Sequence, residues 1–260
     1  MWPRVCRTSA DLLRVMFTPQ RTLPSADADR ILAGAAVRTG VVDGDEVVSY
    51  SWGAAEPRVL LVHGWSGNAG QWAPLAQALV AAGLGVVTAD QPGHGRSAGG
   101  RSSVVHFAKQ IEQAHEVHGP FQAIVAHSLG AAAAAIAMSR TVAAPRAVFV
   151  NPMSSYRSMW LRTTAALEVS AELMAEAVRA AEQWLQVRFD EIEPGVLAPG
   201  MRSALLLVQD RNDRESTLSD GAALAAAWPG AELVEVENLG HTRVLGNAEV
   251  IRRVVDFVAR

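Results

Sequence analysis

From about residue 45 the chain alternates short, nearly unbroken apolar runs with longer stretches whose apolar residues recur at three- and four-residue spacing. The short runs are DEVVSYSWG from Asp45, RVLLVHG from Arg58 to Gly64, GVVTAD, FQAIVAHS, RAVFVNP, SALLLVQD and AELVEVE. They are the length of strands, and the first, with its alternating polar residues, is expected at a sheet edge. Between them, QWAPLAQALVAAG stops at Gly83, a second helical stretch starts at Ser103, and LGAAAAAIAMSR starts at Leu129. Two more helices are expected around Leu218–Trp228 and Ala248–Ala259. Strands separated by helices at this spacing imply βαβ units, right-handed crossovers and a mainly parallel sheet covered on both faces. Ligands of such sheets sit at the carboxyl ends of the strands, where the Gly-rich and polar turns fall.

One interval breaks the rhythm. About fifty residues separate Asn151 from Gly200, far more than a crossover needs. Its helical middle, Tyr156 to Val187, carries Met159, Trp160, Leu161, Leu173, Met174, Trp184 and Leu185. It is either an elaborated crossover with its own small core or a helical cap, and its departure from the carboxyl end of a strand favours the cap. The expected organisation is a core of residues 1–152, a cap of 153–202 and the rest of the core in 203–260. As a cap it would supply an apolar pocket, with Trp160, Met174 and Trp184 as candidate lining residues.

Composition narrows the functional classes. Half of the 260 residues are hydrophobic, 19% are charged, and the net charge is −3, so nothing attracts a phosphate backbone and nucleic acid is not an expected partner. Lys109 is the single lysine among many arginines and alanines, as in the proteins of GC-rich bacteria. Cys6 is the single cysteine, which leaves no intrachain disulfide and no thiolate metal cluster. The first seventeen residues interrupt their apolar positions with Arg7, Asp11 and Arg14, which fits a short amphipathic helix better than a signal peptide. No run approaches the roughly 20 apolar residues of a membrane span. A soluble cytoplasmic protein without an integral membrane segment is expected; oligomeric state is not readable.

The strongest chemical signal is Val125-Ala126-His127-Ser128-Leu129-Gly130, between a strand and an alanine-rich helix. A serine hydroxyl needs exposure and a base to act as a nucleophile, and a sharp strand-turn-helix corner supplies the exposure. Such a corner crowds the residues two before and two after the serine; here both are small, Ala126 and Gly130. A serine there could also simply cap the helix.

These residues resemble the nucleophile corner of the α/β-hydrolase superfamily, G-x-S-x-G, with Ala126 in place of the first glycine. The resemblance runs from about Asp45 to the C-terminus, outside the insertion. It implies an α/β-hydrolase fold, Ser128 as nucleophile, and the backbone N–H groups of Trp65 and Leu129 as the oxyanion hole. Asp90-Gln91-Pro92-Gly93-His94-Gly95-Arg96-Ser97 resembles the family's structural turn, so Asp90 and Ser97 are expected to tie a loop and His94 to have no catalytic part. His63 is expected to stabilise its turn. The family's chain order of nucleophile, acid and histidine points to His241, in the glycine-flanked loop Asn238-Leu239-Gly240-His241. Asp210 and Asp213 both follow the preceding strand; the family's phase favours Asp213 as the acid, with Asp210 tying the turn. Asn151 stands where some relatives carry the acid, but an amide cannot support an imidazolium in that way. Glu112, His115 and His118 share a helix face, but without a fourth ligand they read as a solvated surface and not a metal site.

The resemblance thus implies a serine hydrolase of small to medium carboxylic esters, working without cofactor or metal through an acyl-enzyme. Thioester, lactone or carbon–carbon bond hydrolysis on the same residues, and a non-catalytic binding role, are the alternatives.

Overall fold

A computed structural model describes residues 6–53, 56 and 58–260 of the chain. Two short helices, α1 (Ser9–Phe17) and α2 (Ala26–Leu32), precede a hairpin of β1 (Ala36–Val42) and β2 (Asp45–Trp52). Then come β3 (Arg58–Val62), α3 (Ala73–Ala81), β4 (Gly85–Ala89), α4 (Val104–His118), β5 (Ala123–His127), α5 (Leu129–Arg140) and β6 (Arg146–Val150). The insertion carries α6 (Tyr156–Ala166), α7 (Ala171–Leu185) and the single turn α8 (Pro194–Leu197). The chain closes with β7 (Ala204–Asp210), α9 (Leu218–Ala227), β8 (Glu232–Val236) and α10 (Ala248–Val258).

The strands form one sheet in the order β1-β2-β4-β3-β5-β6-β7-β8, parallel from β4 through β8 and antiparallel at β1 and β2. This is the mainly parallel, doubly covered sheet expected from the alternation of runs, and the α/β-hydrolase architecture that the resemblance implies. The alternation also decides which helix packs where. Leu60, Val62, Ile124, Ala126, Ala147 and Phe149 face α4 and α5, whereas Val59, Leu61, Val125, Val148 and Val208 face α3 and α10. Successive side chains point to opposite faces, so strands made almost wholly of apolar residues fill both cores.

Two expectations need correction. The run from Asp45 is not the edge: β1 lies outside it, joined through Asp43 and Gly44, which have φ of 50° and 90°. Positive φ at both central residues is the mark of a tight hairpin turn that suits Asp-Gly. The N-terminal stretch does form a helix, α1, with Thr8 Oγ1 accepting the Asp11 N–H and the Thr8 N–H donating back to the Asp11 carboxylate; residues 1–5 of that expected helix lie outside the described residues. Instead of lying on the core alone, α1 packs against the insertion, through Ser9 Oγ on Glu176 (2.6 Å) and Phe17 against Trp160 and Trp184. No helix among the described residues is long and apolar enough to cross a membrane.

Burial leaves three histidines uncharged. It lowers His63 to a pKa of about 4 and His94 and His127 to about 3. Once unfolded, each takes up a proton near pH 6.5, so stability present above that pH is lost as pH falls from about 6.5 toward about 4. The expected slope is up to about 1.4 kcal/mol per pH unit for each histidine. Thermal melts from pH 7 to pH 5 check it: an invariant Tm, with no proton uptake on unfolding, would contradict this account.

Candidate active site

Ser128 directly follows β5, at φ 51° and ψ −122°, a conformation that turns the chain abruptly into α5. The corner is held by the Ser128 N–H donating to Val150 O (3.2 Å) and the Met153 N–H donating to Ser128 O (3.0 Å). A Cβ on Gly130 would stand 2.5 Å from the carbonyl oxygen of His63, and one on Gly64 would stand 2.9 Å from Ser128 Cβ. Only glycine lets the helix start and the loop after β3 close this tightly around the serine.

Three side chains from three distant parts of the chain meet here. His241 Nε2 lies 3.0 Å from Ser128 Oγ, and its Nδ1 lies 2.6 Å from Asp213 Oδ2. The Asp213 side chain is wholly buried and that of His241 nearly so. Burial pushes the Asp213 pKa up, but the hydrogen bond from His241 and the amides of Glu215 and Ser216 outweigh it and hold the carboxyl below its ordinary range. Asp213 therefore stays an anion beside the imidazole, its Oδ1 occupied by those two amides and its Oδ2 facing Nδ1.

Asp210 goes elsewhere, as expected of a turn-tying residue, though it ties more than its own turn. Its Oδ1 accepts the Asn212 N–H (2.7 Å), and its Oδ2 accepts the N–H groups of Leu239 and Gly240 (2.6 Å each). Asn151 joins the same work. Its Oδ1 accepts the Asp210 N–H (2.8 Å), and its Nδ2 donates to His241 O (3.2 Å). His127 donates from Nε2 to that same carbonyl (2.9 Å). The ends of β5, β6 and β7 thus each send one side chain to the backbone of the His241 loop. Neither His127 nor Asn151 was identified from sequence as a loop support; the signal available was a polar residue closing an otherwise apolar strand.

The remaining candidates separate cleanly. The N–H of Leu129, first residue of α5, and that of Trp65, beside Gly64, have no acceptor among the described residues. Asp90 accepts the N–H groups of Ala69 and Arg96, and Ser97 Oγ donates to Asp90 O, so this turn is tied internally. His63 donates from Nδ1 to Gly64 O and accepts the Gln91 N–H at Nε2. His118 is buried against Ser49, and the ring of His115 lies tilted against that of Phe121 (centroids 5.8 Å apart).

Over Ser128 opens a cavity of about 600 Å³, walled on its apolar side by Met16, Trp65, Met153, Tyr156, Met159 and Leu167. Arg162, Arg214 and Glu215 also line it. Trp160, Met174 and Trp184, the expected lining residues, are not in these walls. Trp160 is buried between Phe17 and Phe189, and Met174 Sδ accepts from Thr164 Oγ1 (3.4 Å) inside the insertion. Trp184 lies beneath the Arg101 guanidinium (4.1 Å) over a separate hollow. The Met and Trp content of the insertion pointed to one right helix and the wrong residues: α6 turns Tyr156, Met159 and Thr163 to the cavity and Trp160 to the core, and α7, with Met174 and Trp184, gives the cavity no residue. A larger hollow, about 1100 Å³, lies at the opposite ends of the strands by Arg58, Phe121 and Pro145, remote from Ser128.

Residues 53–227 match the model of the family described as "Serine aminopeptidase, S33", a family of α/β-hydrolases. The chain belongs to this family. The matched span holds Ser128 and Asp213 and stops short of His241. No curated protein matches the chain. Among solved structures, this α/β-hydrolase is similar to an esterase of Pyrococcus furiosus, with 16% identity over 94% of this chain and 98% of that one and a TM-score of 0.70. It is also similar to the enol-lactonase of Burkholderia xenovorans LB400, with 18% identity over 86% and 100% and a TM-score of 0.66. A third likeness is to the thioesterase domain from the curacin biosynthetic pathway, with 18% identity over 87% and 100% and a TM-score of 0.64. At these identities the likeness is one of fold.

Proposed function

We propose that this hydrolase is a serine esterase that cleaves small to medium carboxylic esters through an acyl-enzyme. The reading rests on one observation: the line Asp213–His241–Ser128, at 2.6 and 3.0 Å, ends at the floor of a largely apolar cavity. His241 Nε2 takes the proton as Ser128 Oγ attacks the ester carbonyl. The oxyanion forms against the N–H groups of Trp65 and Leu129, with α5 aiming its N-terminus at the charge. His241 then protonates the departing alkoxide, and water repeats the sequence on the acyl-enzyme. Asp213, an anion throughout, accepts the hydrogen bond from Nδ1–H, holds that proton on the imidazole and so keeps Nε2 free to receive one.

The insertion, with α1 beside it, acts as the cap whose methionines receive the apolar part of the substrate. The test is a fluorophosphonate probe followed by peptide mapping, together with p-nitrophenyl esters of rising chain length beside thioesters, lactones and aminoacyl p-nitroanilides. The reading expects the label on Ser128 and turnover greatest on the esters. A label on another residue, or preference for the aminoacyl anilides, would overturn it.

The cavity walls make a second expectation. Met159→Ala lengthens the apolar wall and should move the preferred acyl chain upward by two or more carbons, with little change in Tm. Trp160→Ala should leave the chain-length profile in place and cost about 3–5 kcal/mol of stability, as a large buried side chain does. Chain-length profiles and melts of the two variants check both halves, and an unchanged profile in Met159→Ala would place the acyl chain elsewhere.

A further inference from the structure

We propose that the segment from Phe17 to Thr22 is a strap that fixes the oxyanion hole, with Thr22 as the positioning residue at its head. This rests on the reading of Trp65 N–H as an oxyanion donor. The direction of that N–H is set by the carbonyl of Gly64, because both belong to one planar trans peptide. Gly64 O is held from behind by His63 Nδ1 (2.7 Å) and by the N–H of Gly67 (3.1 Å). His63 accepts the Gln91 N–H at Nε2 (3.0 Å), which puts its proton on Nδ1 and makes it a donor to Gly64. The N–H of Gly67 belongs in turn to the peptide whose carbonyl is Ser66 O, and Thr22 Oγ1 donates to that oxygen (2.8 Å).

A single hydrogen-bonded line therefore runs from Thr22 Oγ1–H, through the Ser66–Gly67 peptide and then the Gly64–Trp65 peptide, to the Trp65 N–H. Each bond in such a line polarises the next. Asn68 Nδ2 donates to Thr22 Oγ1 (3.2 Å), so the hydroxyl proton is left for Ser66. The loop needs this support. Ser66 has φ of 58°, a left-handed conformation that a serine adopts only when its surroundings impose it. The strap grips Ser66 a second time through the Gln20 N–H on its Oγ (3.0 Å). The strap itself is anchored by Ser102 N–H on Phe17 O (2.8 Å) and by the Arg21 guanidinium on the carbonyls of Gly95 (2.9 Å) and Gly99 (2.8 Å). All of these strap residues precede the span matched to the family, 53–227.

The experiment compares the full-length wild type with Thr22→Val, Thr22→Ser, Ser66→Ala and Ser128→Ala. It measures p-nitrophenyl butyrate kinetics, the pH midpoint of kcat/KM, and calorimetric binding of n-butylboronic acid, whose tetrahedral adduct on serine places an oxygen in the oxyanion hole. Thr22→Val should lower kcat on the order of tenfold with KM little changed, a fraction of the loss from deleting an oxyanion donor. Boronate affinity should fall by the same factor, the pH midpoint should stay, and Thr22→Ser should restore both. Ser66→Ala, which keeps the main chain and loses only the Gln20 contact, should show a smaller loss in the same direction. Turnover and boronate affinity within twofold of wild type in Thr22→Val would overturn the proposal, as would a shifted pH midpoint or failure of Thr22→Ser to rescue. Boronate binding that survives Ser128→Ala would overturn the underlying reading of the nucleophile, and the strap's role with it.

Discussion

Ser128→Ala is expected to reduce ester turnover on the order of 10⁶-fold, the loss seen when a triad nucleophile is removed and only binding and the oxyanion hole remain. Among the described residues the hydroxyl oxygen makes a single hydrogen bond, to Nε2 of His241, whose side chain is 13% exposed, so the nitrogen that loses its partner is not enclosed in the core. The Cβ stays against Gly64, and the backbone keeps the turn fixed by Val150 O and the Met153 N–H. The fold should survive with a Tm equal to or above that of the wild type, since active-site groups are commonly held at some cost to stability. Hydrolysis of p-nitrophenyl butyrate and fluorophosphonate labelling, run with a melt on the same preparation, decide the matter. Residual turnover above a hundredth of wild type in a folded variant would mean that another group carries the attack.

What sequence reveals here follows the range of the interactions. The two-faced strands and the small residues around Ser128 are local patterns, and each could be read without a structure; the order Ser128, Asp213, His241 came from the resemblance to the α/β-hydrolases. The hairpin of β1 and β2 was legible too, because Asp43-Gly44 is a strong two-residue turn signal. It was missed because Val37 and Val41 sit among Arg, Thr and Gly and are themselves exposed, so the strand lacks a buried face to betray it. His127 and Asn151 could not be recognised as loop supports, because their partners are backbone carbonyls 114 and 90 residues away. The pocket failed for a different reason. Apolar residues on α6 must cover both the insertion's own core and the cavity, and amphipathic spacing does not say which side receives the bulkiest rings. Trp160 went to the core because Phe17 and Phe189 enclose it there.

Asp213→Asn should retain the fold and lose about 10⁴ in kcat, whereas Asp210→Asn should do nearly the opposite. The geometry around Asp213 explains the size of the first effect. Its Oδ1 accepts the N–H groups of Glu215 and Ser216, so an amide in its place must keep its oxygen there. The NH₂ then faces His241 Nδ1, which can only accept from it, and the imidazole proton moves to Nε2. That nitrogen faces Ser128 Oγ at 3.0 Å and, once protonated, can no longer take the hydroxyl proton. For Asp210 the same exchange sets an NH₂ against either the Asn212 N–H or the pair from Leu239 and Gly240, so one set of buried donors loses its acceptor. The expected cost is about 1–3 kcal/mol of stability. Because that pair of amides leads directly into His241, some rate should go as well, on the order of tenfold and far below the tautomer effect. Steady-state kinetics and melts on both variants separate the roles. A stable Asp210→Asn with the larger rate loss, beside an unstable Asp213→Asn that still turns over, would exchange the assignments of acid and loop tie.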